Sequence, residues 1–71
     1  MFDRIHFDPQ VMGGRACIRG TRILVATIVS QIAHRATVEE ILADYPALTA
    51  DDVQQALEYA AWLTREQVIA G

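Results

Sequence analysis

Five of the six basic residues in this chain, Arg4, Arg15, Arg19, Arg22 and Arg35, fall within its first 35 positions, and every basic residue is an arginine. A planar guanidinium suits bidentate contact with phosphate or carboxylate, where lysine would offer only a point charge. Against Asp3 and Asp8 these five give residues 1–35 a formal charge of +3, while residues 36–71 set Arg65 against seven acids and carry −6. The net charge of −3 therefore conceals two halves suited to different partners. Arg15, Arg19, Arg22 and Arg35 are the candidate contacts for nucleic acid or for an acidic protein surface.

Other reactive residue types are present without the spacing that chemistry needs. Cys17 is the single cysteine, which excludes an internal disulfide and a thiolate cluster for zinc, and it reads as a small strand hydrophobe. His6 and His34 stand far apart in sequence and read as a strand-edge residue and a helix C-terminal residue. Ser30 falls mid-helix, Thr37 and Thr49 fall at helix starts, and no histidine and carboxylate accompany them in a triad order. Gly13-Gly14-Arg15 and Gly20-Thr21-Arg22 lack the lysine and following hydroxyl of a phosphate-binding loop. The expectation is a binding protein, not an enzyme, with no catalytic residue, metal site or cofactor.

The elements that must position the arginines can be read from periodicity. Arg4 to Phe7 alternates and stops at Asp8-Pro9, giving a short strand. Gly13-Gly14 allows a bend, and Ala16–Arg19 with Arg22–Leu24 reads as two strands joined by a two-residue Gly20-Thr21 turn, which would set Arg19 beside Arg22. From Leu24 the period becomes 3.6: Val25, Ile28, Val29, Ile32 and Ala33 share one face of a first helix whose β-branched content demands support from packing. Thr37 with Glu40 forms a capping box for a short second helix ending at Tyr45-Pro46. Thr49 with Asp52 opens a third helix expected to run to about Val68. Its mostly apolar positions fall on two stripes: Val53, Ala56, Leu57, Ala60, Ala61 and Thr64 on the core stripe, and Tyr59, Trp62, Leu63 and Glu66 on a second that either widens the core face or forms a contact surface.

These elements make one domain over residues 1–71: short strands and a hairpin over 1–24, then a three-helix bundle over 25–71, mainly α. The second and third helices and the turn between them have helix-turn-helix lengths. The usual docking of such a unit on DNA is disfavoured here, because Asp51 and Asp52 stand where base-reading residues would. A core this small is marginal, and the 52% hydrophobic content exceeds what it can hide, so a homodimer or a bound partner is expected, with Tyr59, Trp62 and Leu63, or the amino-terminal strands, as the interface. No run of about 20 apolar residues exists to span a bilayer and no signal-peptide pattern opens the chain, so a cytoplasmic protein with no membrane partner is expected.

Ile5, Asp8-Pro9, the run Gly14-Arg15-Ala16-Cys17-Ile18-Arg19-Gly20-Thr21-Arg22-Ile23, then Thr37 to Leu42, Asp44-Tyr45-Pro46, Leu48-Thr49 and Ala56-Leu57 together resemble the bacterial domain of unknown function 433 family. The resemblance spans nearly the whole chain and departs at Ala16, where the family often has proline. It implies a homeodomain-like helical fold preceded by short strands. It further implies an antitoxin of VapB type that neutralises a PIN-like ribonuclease toxin and binds a double-stranded DNA operator. The alternative that the acidic third helix favours is a protein-interaction module without DNA binding.

Overall fold

A computed structural model describes residues 2–7, 9 and 15–65 of the chain. Two strands, β1 (Ile5–Phe7) and β2 (Ala16–Ile18), precede three helices, α1 (Val25–Ala33), α2 (Val38–Asp44) and α3 (Ala50–Leu63). The architecture is mainly α, a three-helix unit with an antiparallel pair of strands at its amino end, as the periodicity implied. Asp8, the Gly13-Gly14 bend, Glu66, Val68 and Gly71 lie outside the described residues.

β1 and β2 pair in the register Ile5 to Ile18, His6 to Cys17 and Phe7 to Ala16, which sends Ile5 and Ile18 into the core together. The expected third strand is reduced to one bridge between Cys17 and Leu24, so Cys17 sits fully buried between two backbone neighbours. Leu24 then gives α1 an extended entry without a side-chain cap. Packing supplies what propensity does not: Val25 and Ile28 are buried, Val29 and Ile32 half-buried, and only Ala33 of the expected face is exposed. Burying a side chain of this size stabilises by about 1.5–3 kcal/mol.

α1 ends in a Schellman arrangement in which Ala36 N–H donates to Gln31 O and Arg35 N–H to Ile32 O, both at 2.9 Å. Arg35 consequently adopts a left-handed φ of 70°. Capping boxes open both later helices: Thr37 with Glu40 for α2, Thr49 with Asp52 for α3. Between them Leu48 N–H donates to Tyr45 O at 2.9 Å around Pro46, and Leu48 is buried while Tyr45 is half-buried against the core. α1 packs chiefly on α3.

The third helix departs from its expected extent and faces. It stops at Leu63, where Thr64 caps it by donating its backbone N–H and its hydroxyl to Ala60 O. Its buried residues are Asp52, Val53, Ala56 and Tyr59, at intervals of one, three and three, so Tyr59 belongs to the core face and not to an outer stripe. Ala61 and Thr64, assigned to the core stripe from the sequence, are exposed.

Candidate functional site

The Arg19–Arg22 loop shows why its sequence divides into shaping and displayed residues. Ile18 N–H donates to Ile23 O at 2.9 Å, closing a four-residue loop. Thr21 donates to Ile18 O from both its backbone and its hydroxyl, and its hydroxyl accepts from Ile23 N–H at 3.0 Å. Gly20 takes the third position of the Ile18–Thr21 turn with φ 79°, not the first position of a two-residue hairpin. That corrects the cross-strand pairing of Arg19 with Arg22: both are loop residues, and both are exposed. Arg19 N–H also donates to Arg4 O at 2.7 Å, which ties the loop to β1.

The other two candidate arginines are elsewhere. Arg15 is exposed just before β2, at the opposite end of that strand from the loop. Arg35 lies past the carboxyl end of α1, a helix of nine residues and so about 13 Å long. The four do not share one element, and only Arg19 and Arg22 are brought together. Among the described residues none of the four makes an ion pair.

The remaining amino-terminal arginine is committed inward. Arg4 Nη1 donates to Asp52 Oδ1 at 3.1 Å, and its Nη2 stands 3.6 Å from Asp51 Oδ2. Arg4 N–H donates to Gln55 Oε1, and Gln55 Nε2 donates to Asp3 Oδ1 at 2.9 Å, a hydrogen bond that lowers the Asp3 carboxyl below its usual range. The acidic start of α3 is thus the anchor of the amino-terminal segment. Sequence reasoning treated Arg4 as one more unit of the basic half, and no local signal links positions 48 residues apart.

A second surface is apolar. A groove of about 350 Å³ runs between the strands, α1 and α3. Phe7, Ala16 and Leu24 form its strand side, Val25, Ala26 and Val29 its α1 wall, and Tyr59, Ala60, Leu63 and Thr64 its α3 wall, with Arg15 the one charged residue among those described. Phe7 and Leu63 are 59% and 58% exposed, and neighbouring Trp62 is 43% exposed. Trp62 is therefore not a core residue; it stacks near Phe2 and Tyr59 and carries the Arg65 guanidinium 5.1 Å from its ring centroid. Of the three residues expected at an interface, Trp62 and Leu63 are displayed, whereas Tyr59, 6% exposed, contributes through the groove wall. Phe7 was covered only as part of the amino-terminal strands and not singled out, although its alternation with Ile5 places it on the same side of β1.

His6 is half-buried on β1, and His34, exposed at the end of α1, donates from Nδ1 to Ser30 O at 2.7 Å. No three His, Cys, Asp or Glu side chains among the described residues converge to hold a metal ion. No helix among them is long and apolar enough to cross a membrane.

Fold and surfaces together define a small three-helix domain with an amino-terminal hairpin that displays a short basic loop and an apolar groove. Residues 5–60 match the family described as protein of unknown function, DUF433, and the chain belongs to that family. A crystal structure of a DUF433 member protein from Anabaena variabilis ATCC 29413 is similar, with 44% sequence identity and a TM-score of 0.79 over 83% of this chain and 58% of that one. An uncharacterized protein, y4eO, of Sinorhizobium fredii (strain NBRC 101917 / NGR234) is 35% identical over 53 residues, 75% of this chain. The chain spans 24% of the length of that relative, so the two share one segment.

Proposed function

We propose that the chain is a non-enzymatic, cytoplasmic antitoxin that works as a dimer, neutralises a PIN-like ribonuclease toxin and contacts a double-stranded DNA operator through its hairpin loop. The observation that carries this reading is the loop itself: Gly20 and Thr21 fix its backbone, so Arg19 and Arg22 are held out to solvent, where a guanidinium pair meets phosphates or a nuclease's acidic centre. Arg4 is committed inward, and of the remaining arginines in residues 1–35 only Arg19 and Arg22 share one short loop.

The test is co-expression with a PIN-like ribonuclease encoded beside this chain. Co-purification of the two, with loss of ribonuclease activity at equimolar ratio, is the expected result. A ribonuclease that stays fully active in excess of this chain overturns the toxin half of the proposal.

A second reading, a protein-interaction module with no DNA contact, is favoured by one observation. The Asp51 side chain, 80% exposed, stands at the start of α3, the helix that a helix-turn-helix would carry into the major groove. Under this reading the loop arginines meet carboxylates only, and retention of operator DNA at low salt would dismiss it.

A further inference from the structure

We infer that the first turn of α3 sets the pose of the basic loop through Arg4, so that Asp52 and Gln55 are positioning residues for the contact that Arg19 and Arg22 make with phosphate. The inference deepens the reading of that loop as the partner contact, and rests on it for the consequence in binding but not for the geometry.

The path is a chain of hydrogen bonds through one residue. The strand register, carried one step past Ile5 and Ile18, sets Arg4 opposite Arg19, and Arg19 N–H donates to Arg4 O at 2.7 Å. On its other side Arg4 N–H donates to Gln55 Oε1 at 2.6 Å, and the Arg4 guanidinium donates to Asp52 Oδ1 at 3.1 Å. Asp52 and Gln55 are three positions apart and share one face of α3. Helix and loop are thus joined across a single residue. Both α3 groups are themselves held. Asp52 closes the capping box with Thr49, and Gln55 Nε2 donates to Asp3 Oδ1 at 2.9 Å. Turning the Gln55 amide around would set its oxygen against a carboxylate that only accepts.

The loop does not fix this pose for itself. Its own bonds, from Ile18 N–H to Ile23 O, from Thr21 to Ile18 O and from Ile23 N–H to the Thr21 hydroxyl, begin and end within residues 18–23. Among the described residues, the bond from Arg19 N–H to Arg4 O is the one hydrogen bond that leaves the loop for another element. Arg19, Gly20 and Arg22 are exposed, so packing adds little there.

Charge explains why an acidic helix start stands beside a basic loop. Like charges opposite one another on antiparallel strands are unfavourable. Asp51 and Asp52 draw the Arg4 guanidinium toward α3 and offset its charge, while Arg19 makes no ion pair among the described residues. A loop ordered only at the moment of binding loses affinity that a preset loop keeps. Positioning and contact then separate in salt, because the salt slope counts neutralised phosphates and Gln55 neutralises none.

Amide hydrogen exchange of the chain alone, read by nuclear magnetic resonance, and a gel-shift salt titration with a short mixed-sequence DNA duplex test this. Gln55→Met keeps the side-chain length and helix propensity and removes the acceptor without a change of charge. With its helical circular dichroism retained, this variant should exchange the Arg19 amide at least about tenfold faster than wild type. Its duplex affinity should fall roughly 3- to 10-fold at an unchanged salt slope. Arg4→Met should also speed exchange at Arg19, and Arg4→Lys, which returns a cation to Asp52, should recover most of the protection. Thr37→Ala, which removes the α2 cap and lies outside this path, should leave the Arg19 rate and the duplex affinity as in wild type, so a general loss of stability is told apart from lost positioning. An Arg19 amide that exchanges at one rate in wild type, Gln55→Met and Arg4→Met overturns the proposal, as does a loss of affinity in Gln55→Met that comes with a flattened slope. Exchange needs no partner: absence of duplex binding by the wild-type chain defeats the operator reading, and the amide rates still decide the positioning.

Discussion

Arg4 and Asp52 face each other at 3.1 Å across 48 positions of sequence, and the carboxylate that receives Arg4 also closes the capping box of α3 through Thr49 N–H at 2.9 Å. One side chain therefore starts a helix and fastens the amino-terminal segment to it. Asp52 is 7% exposed, so both contacts operate with little competition from water. Its neighbour Asp51 is largely in solvent and stands 3.6 Å from the same guanidinium.

The two aspartates should consequently separate under mutation. Asp52→Ala removes a cap worth about 1 kcal/mol and leaves Arg4 without its close partner; since Arg4 is partly exposed, a total loss of about 2–3 kcal/mol is expected. Asp51→Ala should cost less than about 0.5 kcal/mol. Urea denaturation of both variants decides it, and equal midpoints would show that the pairing of Arg4 with Asp52 contributes nothing to the fold.

How far each of these features could be read from sequence follows from the range of the interaction behind it. Both capping boxes are spacings of three residues, and Thr37-Glu40 and Thr49-Asp52 stand where they were expected. The buried residues of α1 follow from a period of 3.6 alone. The loop was misread because Gly20-Thr21 fits a two-residue turn equally well, and what selects the four-residue form is the Thr21 hydroxyl bridging Ile18 O and Ile23 N–H. The sequence left open whether the stripe of Tyr59 widens the core or forms a contact surface, because the rotation of a helix against its neighbours depends on the tertiary partners, here α1 and the strands, and Tyr59 is buried among them. The scatter of the four arginines has the same origin: positions 15, 19, 22 and 35 are near in sequence, but β2 and α1 carry them to separate ends.

Among the described residues two occupy the left-handed region, Gly20 at φ 79° and Arg35 at φ 70°, and exchange of side chains should move stability in opposite directions. A Cβ at Gly20 meets nothing within 4 Å, so Gly20→Ala carries only the backbone penalty, about 1–2 kcal/mol of destabilisation. Arg35 already bears that penalty at the position after the helix cap where glycine is most favoured, and Arg35→Gly should stabilise by about 0.5–1 kcal/mol. Thermal melts of the pair test the assignment; a destabilised Arg35→Gly would mean that the side chain makes a compensating contact.

Acid should weaken the fold through two exposed carboxylates. Gln55 holds Asp3 below its ordinary value of 3.8, and the backbone N–H and then the hydroxyl of Thr37 hold Glu40 below its ordinary 4.5. A carboxyl whose pKa is lowered by folding contributes stability that is complete above its unfolded value and disappears as pH falls through the lower folded one. Both contributions are therefore intact from pH 7 down to about 5 and lost below about 4. Denaturation midpoints measured between pH 3 and 7 should bend downward in that window, and Asp3→Asn with Glu40→Gln, which keep an acceptor oxygen, should flatten the bend. An unchanged bend in the double variant would assign acid sensitivity to other carboxylates.

The loop pair yields the sharpest functional measurement. Each phosphate neutralised contributes a slope of about −0.9 to log affinity against log salt, so a dimer using Arg19 and Arg22 from each subunit should approach roughly −3.6. Arg19→Ala or Arg22→Ala alone should flatten that slope by about 1.8 and weaken binding across sequences, because phosphate contacts position a protein without reading bases. Arg35→Ala, at the far end of α1, should leave the slope unchanged, and Asp51→Ala should leave it unchanged or strengthen binding by removing a like charge. If the loop instead meets carboxylates in a ribonuclease, Arg19→Ala and Arg22→Ala abolish inhibition of that enzyme and leave DNA retention intact. A gel-shift salt titration beside a ribonuclease-inhibition assay on the same variants separates the two, and binding lost only on changing exposed residues of α3 would remove the loop from the DNA contact.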